Sequence, residues 1–217
     1  MSTTPGTLAP PETAVAPRSW GVSVAMATGA GLALGVLTNL AQGWLPYPWG
    51  QIANSGAVWS CVAFAAGAVL FRRAAPRQAA LGGLGAEVAL VIGYYGYAEW
   101  GRDGMGSLVF PLLWLGLACV AGPLFGVAGH WLGRPRDTWR RVVGIAALAG
   151  VFGMEAIQYA WVLHYAPQAW TCLAILLLVP LLLGRSPRER LLALAAAVPS
   201  GLLAYVIIHL PVDALSG

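Results

Sequence analysis

The chain has 217 residues, 59% of them hydrophobic and 9% charged, against about 25% charged in a soluble domain. With a mean hydropathy of +0.72 it cannot clothe itself in a water-compatible surface, and lipid is its expected solvent. The net charge of +4 does not point to nucleic acid, because all twelve basic residues are Arg and sit in short links between apolar runs.

Residues 1–17 hold four prolines and little that can pack, which predicts a disordered cytoplasmic tail. The apolar run that begins after Arg18 exceeds the roughly 7–15 residues of a secretory signal, so it reads as a first spanning helix. A spanning helix needs about 20 apolar residues. That ruler predicts an all-α polytopic membrane bundle of about seven transmembrane helices. They fall near 19–41, 52–71, 79–100, 107–132, 142–165, 168–184 and 191–210, and residues 18–217 form one membrane domain. The sixth is the shortest, and Ala166-Pro167-Gln168 makes a tight link before it. A helical hairpin and a re-entrant segment both fit there.

Arginine distribution sets the expected orientation. Alternate links hold Arg72, Arg73 and Arg77, then Arg134, Arg136, Arg140 and Arg141, then Arg185, Arg188 and Arg190. The opposite links hold Arg102 alone. Ten against one predicts an inside N-terminus and, with seven spans, an outside C-terminus. The expected place is the cell membrane.

Ala27, Gly31 and Gly35 are spaced four apart and line one face of the first helix. Gly122, Gly126 and Gly129 do the same in the fourth, and such stripes let helices approach closely. Pro123, Pro180 and Pro199 fall within or near spans and are expected to kink them. Cys61, Cys119 and Cys172 lie in apolar runs without C-x-x-C spacing. They read as small core residues rather than a disulfide or zinc framework.

Polar and aromatic residues gather toward the outer face. The first helix ends with Asn39 and Gln42. The second begins with Asn54, Ser55 and Trp59. The third ends in Gly93-Tyr94-Tyr95-Gly96-Tyr97-Ala98-Glu99-Trp100-Gly101-Arg102-Asp103, the densest polar stretch of the chain. Trp114 lies two turns into the fourth; Gln158, Tyr159, Trp161, His164 and Tyr165 close the fifth. Trp170 opens the sixth, and Tyr205, His209 and Asp213 close the seventh. An aromatic belt explains Trp and Tyr at an interface. It does not explain Asn, Gln, Glu and His at the same depth, which favours an outward-facing pocket.

Glu87 and Glu155 lie near the middle of their helices, where a carboxylate costs several kcal/mol unless it is paired, protonated or wet. Glu155, Gln158 and Tyr159 follow i, i+3, i+4 spacing and share a face. Glu87, Tyr94 and Tyr95 hold neighbouring positions on theirs. The candidate ligand-binding residues are therefore Glu155, Gln158, Tyr159, Trp161, His164, Glu87, Tyr94, Tyr95, Glu99, Asn54 and Trp59. Glu87 also reads as a protonated acid bonded to a neighbouring helix. Glu99, Arg102 and Asp103 also read as a solvated rim with a local ion pair. No H-E-x-x-H, G-x-S-x-G or P-loop pattern occurs, so no metal site and no cofactor is expected.

Several stretches carry a family likeness: Leu37-Thr38-Asn39-Leu40-Ala41-Gln42-Gly43-Trp44-Leu45-Pro46, Ala53-Asn54-Ser55-Gly56-Ala57-Val58-Trp59, the tyrosine-rich stretch, Gly150-Val151-Phe152-Gly153-Met154-Glu155 and Tyr159-Ala160-Trp161. Through them the chain resembles an uncharacterised family of multi-pass membrane proteins from actinobacteria, over roughly residues 20–210. The resemblance implies fold and source and no activity.

The site reading favours binding of a small amphiphilic or cationic molecule, as a transport component working with partner membrane subunits. The size and small-residue first helix are similar, by analogy, to substrate-capturing subunits of energy-coupling-factor importers, although a seventh span counts against that. An intramembrane enzyme acting on an isoprenoid or lipid is the alternative, with Glu155 as acid and Tyr159 and Trp161 near a terpene-cyclase-like cation. A membrane assembly factor without a ligand is the third. The expected partners are the lipid bilayer, a small-molecule ligand and other membrane subunits, with no nucleic acid.

Overall fold

The computed structural model describes residues 19–134 and 137–216, with side-chain surroundings through residue 208. The expected tail at 1–17, Arg18, Arg136 and the side chains of His209 and Asp213 lie outside the described residues. Within them the chain is all helical, in eight helices. These are α1 (Trp20–Trp44), α2 (Trp49–Ala53), α3 (Gly56–Val69), α4 (Pro76–Gly101), α5 (Val109–Leu132), α6 (Thr138–Ile157), α7 (Ala166–Leu183) and α8 (Pro187–Ser216). A π-helical turn, Gln158–Val162, extends α6. Six helices are long and apolar enough to cross a membrane: α1, α4, α5, α6 with its π turn, α7 and α8.

Local chemistry sets the boundaries. Ser19 caps α1 by accepting the Val22 amide at 3.4 Å, and Asp137 caps α6 by accepting the Arg140 amide at 3.1 Å. Prolines open α4 and α8 and sit in the first turn of α7, where the missing N–H costs nothing. Pro123 and Pro180 lie inside α5 and α7.

The expected second span, 52–71, is broken. α2 stops at Ala53, and α3 starts afresh at Gly56 with Ser55 as its cap, accepting the Val58 amide at 3.3 Å. Asn and Ser compete for backbone hydrogen bonds and favour such a restart. α3 has 14 residues, about 21 Å at 1.5 Å per residue. Its first turn lies well below the end of the bundle, level with Glu155 and Trp114.

Small residues set the packing. α1 runs parallel to α4, with Gly31 against the backbone of Ala86, Gly35 against that of Leu90, and Asn39 level with Tyr94. On α5, Gly122 and Gly126 meet Gly83, and Gly129 meets Phe64. α8 runs parallel to α6, where Gly150 and Gly201 are in close contact. A Cβ at these glycines would meet backbone, so each approach depends on its absence. Cys172 is buried and Cys61 half-buried, but Cys119 is exposed and does not belong to the core.

α6 is the central helix, packing against α3, α5, α7 and α8. In its most apolar window 72% of residues are buried, against 17% for α8. Its arginine-rich end is stapled. Arg141 sits within α6 at 3% exposure and donates to Glu189 at 2.7 Å, to the Leu183 carbonyl at 3.0 Å and to the Leu132 carbonyl. Glu189 in turn accepts the Arg185 amide at 2.8 Å. One guanidinium thus ties the final carbonyls of α5 and α7 to the start of α8. Arg141 is therefore a buried structural residue and not a loop charge, unlike its neighbour Arg140, which pairs with Asp137 at the surface.

Candidate functional site

At the arginine-poor end the structure sorts the candidate residues into three places. The first is the broken start of α3. Glu155 turns inward from α6, 7% exposed, and its Oε1 accepts the Ala57 amide at 3.3 Å. The first amides of α3 have no partner within the helix, and the Glu155 carboxyl supplies an acceptor for that of Ala57. The Trp114 ring and Gly56 flank the carboxylate. Tyr159, one turn on, is also buried, and its hydroxyl points to the Gln51 carbonyl at 3.5 Å.

A polar plug closes the bundle above Glu155. Gln168, fully buried, donates to Gln51 Oε1 at 2.5 Å and accepts from the Tyr47 hydroxyl at 3.4 Å. The Tyr165 ring stands 6.1 Å from Tyr47, edge on, and 6.4 Å from Tyr159, stacked. These contacts hold α2 against α7. The Gln158 Oε1 and Asn54 Oδ1 atoms are buried nearby along the chain without a hydrogen-bond partner.

The second place lies between α1, α3 and α4. Asn39 is buried on α1, where its Nδ2 donates to the Tyr94 carbonyl and its Oδ1 accepts from Arg102, both at 3.0 Å. The Tyr94 hydroxyl donates to Gln42 Oε1 at 2.6 Å. Asn39, Tyr94, Tyr95, Arg102 and Asp103 line a small polar cavity of about 240 Å³ at the rim. Glu99 closes the adjoining loop by accepting the Met105 amide at 2.9 Å. The expected ion pair is not made: among the described residues Arg102 bonds Asn39 and pairs with neither Glu99 nor Asp103.

An aromatic row links these two places. The Tyr95 and Tyr94 rings are 5.0 Å apart, and Trp59 stands 5.2 Å from Tyr94 and 5.2 Å from Trp114, beside Glu155. Glu155 and the α4 tyrosines therefore share no open space, because the row fills the interval. Glu87 lies deeper on α4, buried, with Oε2 lacking a partner; the Trp59 Nε1 donor is also unpaired.

The third place is on the opposite side of α6. Trp161 and His164 do not join Glu155: Trp161 lies in the π turn and His164 beyond it, outside the helix. They line a groove of about 770 Å³ between α6, α7 and α8. Gly153, Ala156, Ala160 and Gly201 line it together with Leu, Ile and Val side chains and Trp170; Trp161 is 72% and Trp170 70% exposed. His164 is the one titratable residue among the described lining residues. Its backbone is left-handed at φ 58°, directly after the π turn, and no hydrogen-bond partner meets its ring among the described residues.

Sequence reasoning missed the capping role of Glu155, the dual role of Asn39, the Gln51–Gln168 link and Trp170 as a groove residue. The Asn54-Ser55-Gly56 restart was the available signal for the first. No group of three or more His, Cys, Asp or Glu residues able to hold a metal stands together among the described residues.

Fold and site together define an all-helical, membrane-type protein with long apolar helices and a polar-aromatic end. The chain belongs to the family of unknown function DUF6518, whose model matches residues 14–214. Comparison with curated proteins and with solved structures gives no match.

Proposed function

We propose that this protein crosses the membrane seven times, as one domain with its N-terminus inside and its C-terminus outside, and binds an amphiphile from the outer leaflet. Seven crossings count α2 and α3 as one broken span, with α3 running antiparallel to α4 and α6. The arginine-rich links between α3 and α4, α5 and α6, and α7 and α8 then all lie inside.

The groove between α6, α7 and α8 carries the binding claim. Its volume of about 770 Å³ falls within the roughly 300–1,000 Å³ of small-molecule sites. It is apolar along its length and has His164, Trp161 and Trp170 at one end, the pattern an amphiphile needs. The role is that of a binding component, with any energy coupling supplied by a partner subunit.

The test is a ligand-dependent unfolding temperature on detergent-purified protein, with long-chain amphiphiles as probes. A midpoint that rises with ligand in the native chain, and does not rise after Leu173→Trp fills the groove, supports the reading. No shift with any amphiphile would remove it. An acid-initiated reaction at Glu155 has less support, because the Ala57 amide already engages the carboxylate and Trp161 faces the groove.

A further inference from the structure

The arginine-rich end carries charge that the chain itself does not answer. The chain has eight acids. Among the described residues Asp137 and Glu189 stand at this end, and both are engaged, by Arg140 and by Arg141. Glu87 and Glu155 are buried within the bundle. Glu99, Asp103 and Asp213 follow the other ends of their helices. Glu12, the eighth, lies outside the described residues, and one carboxylate cannot match all the arginines that remain. Among the described residues Arg72 makes no hydrogen bond or ion pair, and the Arg134 side chain bonds His130 alone.

A buried histidine brings these two arginines to one place. His130, in the last turn of α5, is fully buried. The Phe71 carbonyl can only accept, so Nδ1 of the ring donates to it, at 2.8 Å. A guanidinium can only donate, so Nε2 accepts from Arg134 Nη2, at 3.1 Å. The first bond ties α5 to the residue directly before Arg72, and the second holds the Arg134 guanidinium. The Arg72 stem lies across Gly133, next to Arg134 in the chain; a Cβ on Gly133 would overlap it. Two neighbouring guanidinium groups repel each other. A phosphate between them reverses that, because each planar fork matches two of its oxygens.

The surroundings select a lipid phosphate. Val69, the last residue of α3 and three before Arg72, is exposed. The forks therefore stand where apolar surface gives way to polar, at headgroup depth, and basic sites between helix ends at that depth suit anionic headgroups. A zwitterionic headgroup would bring an ammonium to a place with no free acid to meet it.

We infer that Arg72 and Arg134 hold the phosphate of an anionic phospholipid, its acyl chains running past Val69. In the orientation proposed above this lipid belongs to the inner leaflet. The inference goes beyond the amphiphile reading and does not depend on it, since the groove between α6, α7 and α8 takes no part.

The experiment uses the full chain in a neutral maltoside detergent with three probes: dioleoyl phosphatidylglycerol, dioleoyl phosphatidylcholine and glycerol 3-phosphate. The phosphatidylglycerol should raise the unfolding midpoint at about tenfold lower concentration than the phosphatidylcholine, and glycerol 3-phosphate should not shift it. Arg72→Gln should erase the preference. Gly133→Ala should erase it too: the helical backbone there, φ −73° and ψ −7°, accepts alanine, and every charge is kept while the Arg72 stem is displaced. Arg188→Gln, at an exposed arginine of α8, makes the same change of charge as Arg72→Gln and should keep the preference. An equal response to the two lipids, or an unchanged preference in Arg72→Gln or in Gly133→Ala, overturns the inference. An equal loss in Arg188→Gln would mean diffuse surface charge and overturns it as well. A shift with glycerol 3-phosphate at the phosphatidylglycerol concentration would make the site one for free phosphate esters and not for lipid.

Discussion

Glu155 accepts the backbone amide of Ala57 at 3.3 Å, across 98 positions of the chain. The contact joins the central helix to the broken start of α3. A buried helix end needs its amides satisfied from elsewhere, and a carboxyl oxygen facing it serves as the acceptor.

Replacing Glu155 tests that role. Glu155→Gln keeps an acceptor oxygen and should lower stability by less than about 1 kcal/mol. Glu155→Leu leaves the buried Ala57 amide unpaired and should cost about 1–3 kcal/mol. A glutamate that capped nothing would show the reverse, since leucine would then be tolerated. Denaturant unfolding in detergent distinguishes the two, and a leucine variant as stable as the native chain would refute the cap.

Arg141 offers a sharper contrast. Truncating one partner of a buried ion pair costs about 3–5 kcal/mol, and here the Leu132 and Leu183 carbonyls also lose their donor. Arg141→Ala should therefore be severely destabilising. Arg140→Ala, one residue away, removes an exposed pair worth about 0–1 kcal/mol. Similar unfolding midpoints for the two variants would contradict the staple.

The positions of the long helices were legible because crossing length and hydropathy act along the chain, one residue after another. Helix rotation was not legible in the same way. The cost of a lipid-facing carboxylate pointed Glu155 inward, where it is 7% exposed, but it could not say that Ala57 waits there. Trp161 and His164 read as belonging with Glu155 because all share a depth; the π turn and the chain's exit from the helix after it place them on the groove instead. Arg141 read as one more topology charge, since nothing in its own link reveals that Glu189 lies beside it. Asn39 signalled polarity at the right end of α1, while its two partners, Tyr94 and Arg102, become visible only when α1 and α4 lie side by side.

Topology is tested by reporters. Alkaline phosphatase joined after α8 should be active, and joined in the link between α5 and α6 it should be expressed and inactive. Arg102→Ala should leave both results unchanged, because orientation rests on the other arginines of the opposite links, with Arg141 set aside as a buried staple. An inactive fusion after α8 would mean that the short helix α3 does not complete a crossing.

The pairing of Asn39 with Arg102 separates a structural rim from a loosely solvated one. Asn39 is 1% exposed and uses both ends of its amide, donating to the Tyr94 carbonyl and accepting from Arg102. Asn39→Leu keeps much of the volume between α1 and α4 but leaves that carbonyl unpaired, a cost of about 1–3 kcal/mol. Arg102 is exposed, so water can replace its bond to Asn39, and Arg102→Ala should cost less than about 1 kcal/mol. The two variants share one hydrogen bond, so their effects should not add. The double variant should match Asn39→Leu alone to within about 0.5 kcal/mol. Full additivity in a detergent denaturation cycle would mean that the guanidinium and the amide act independently. Arg102 would then be a solvated rim charge, and the alignment of α1 with α4 would rest on Gly31 and Gly35 without help from the rim.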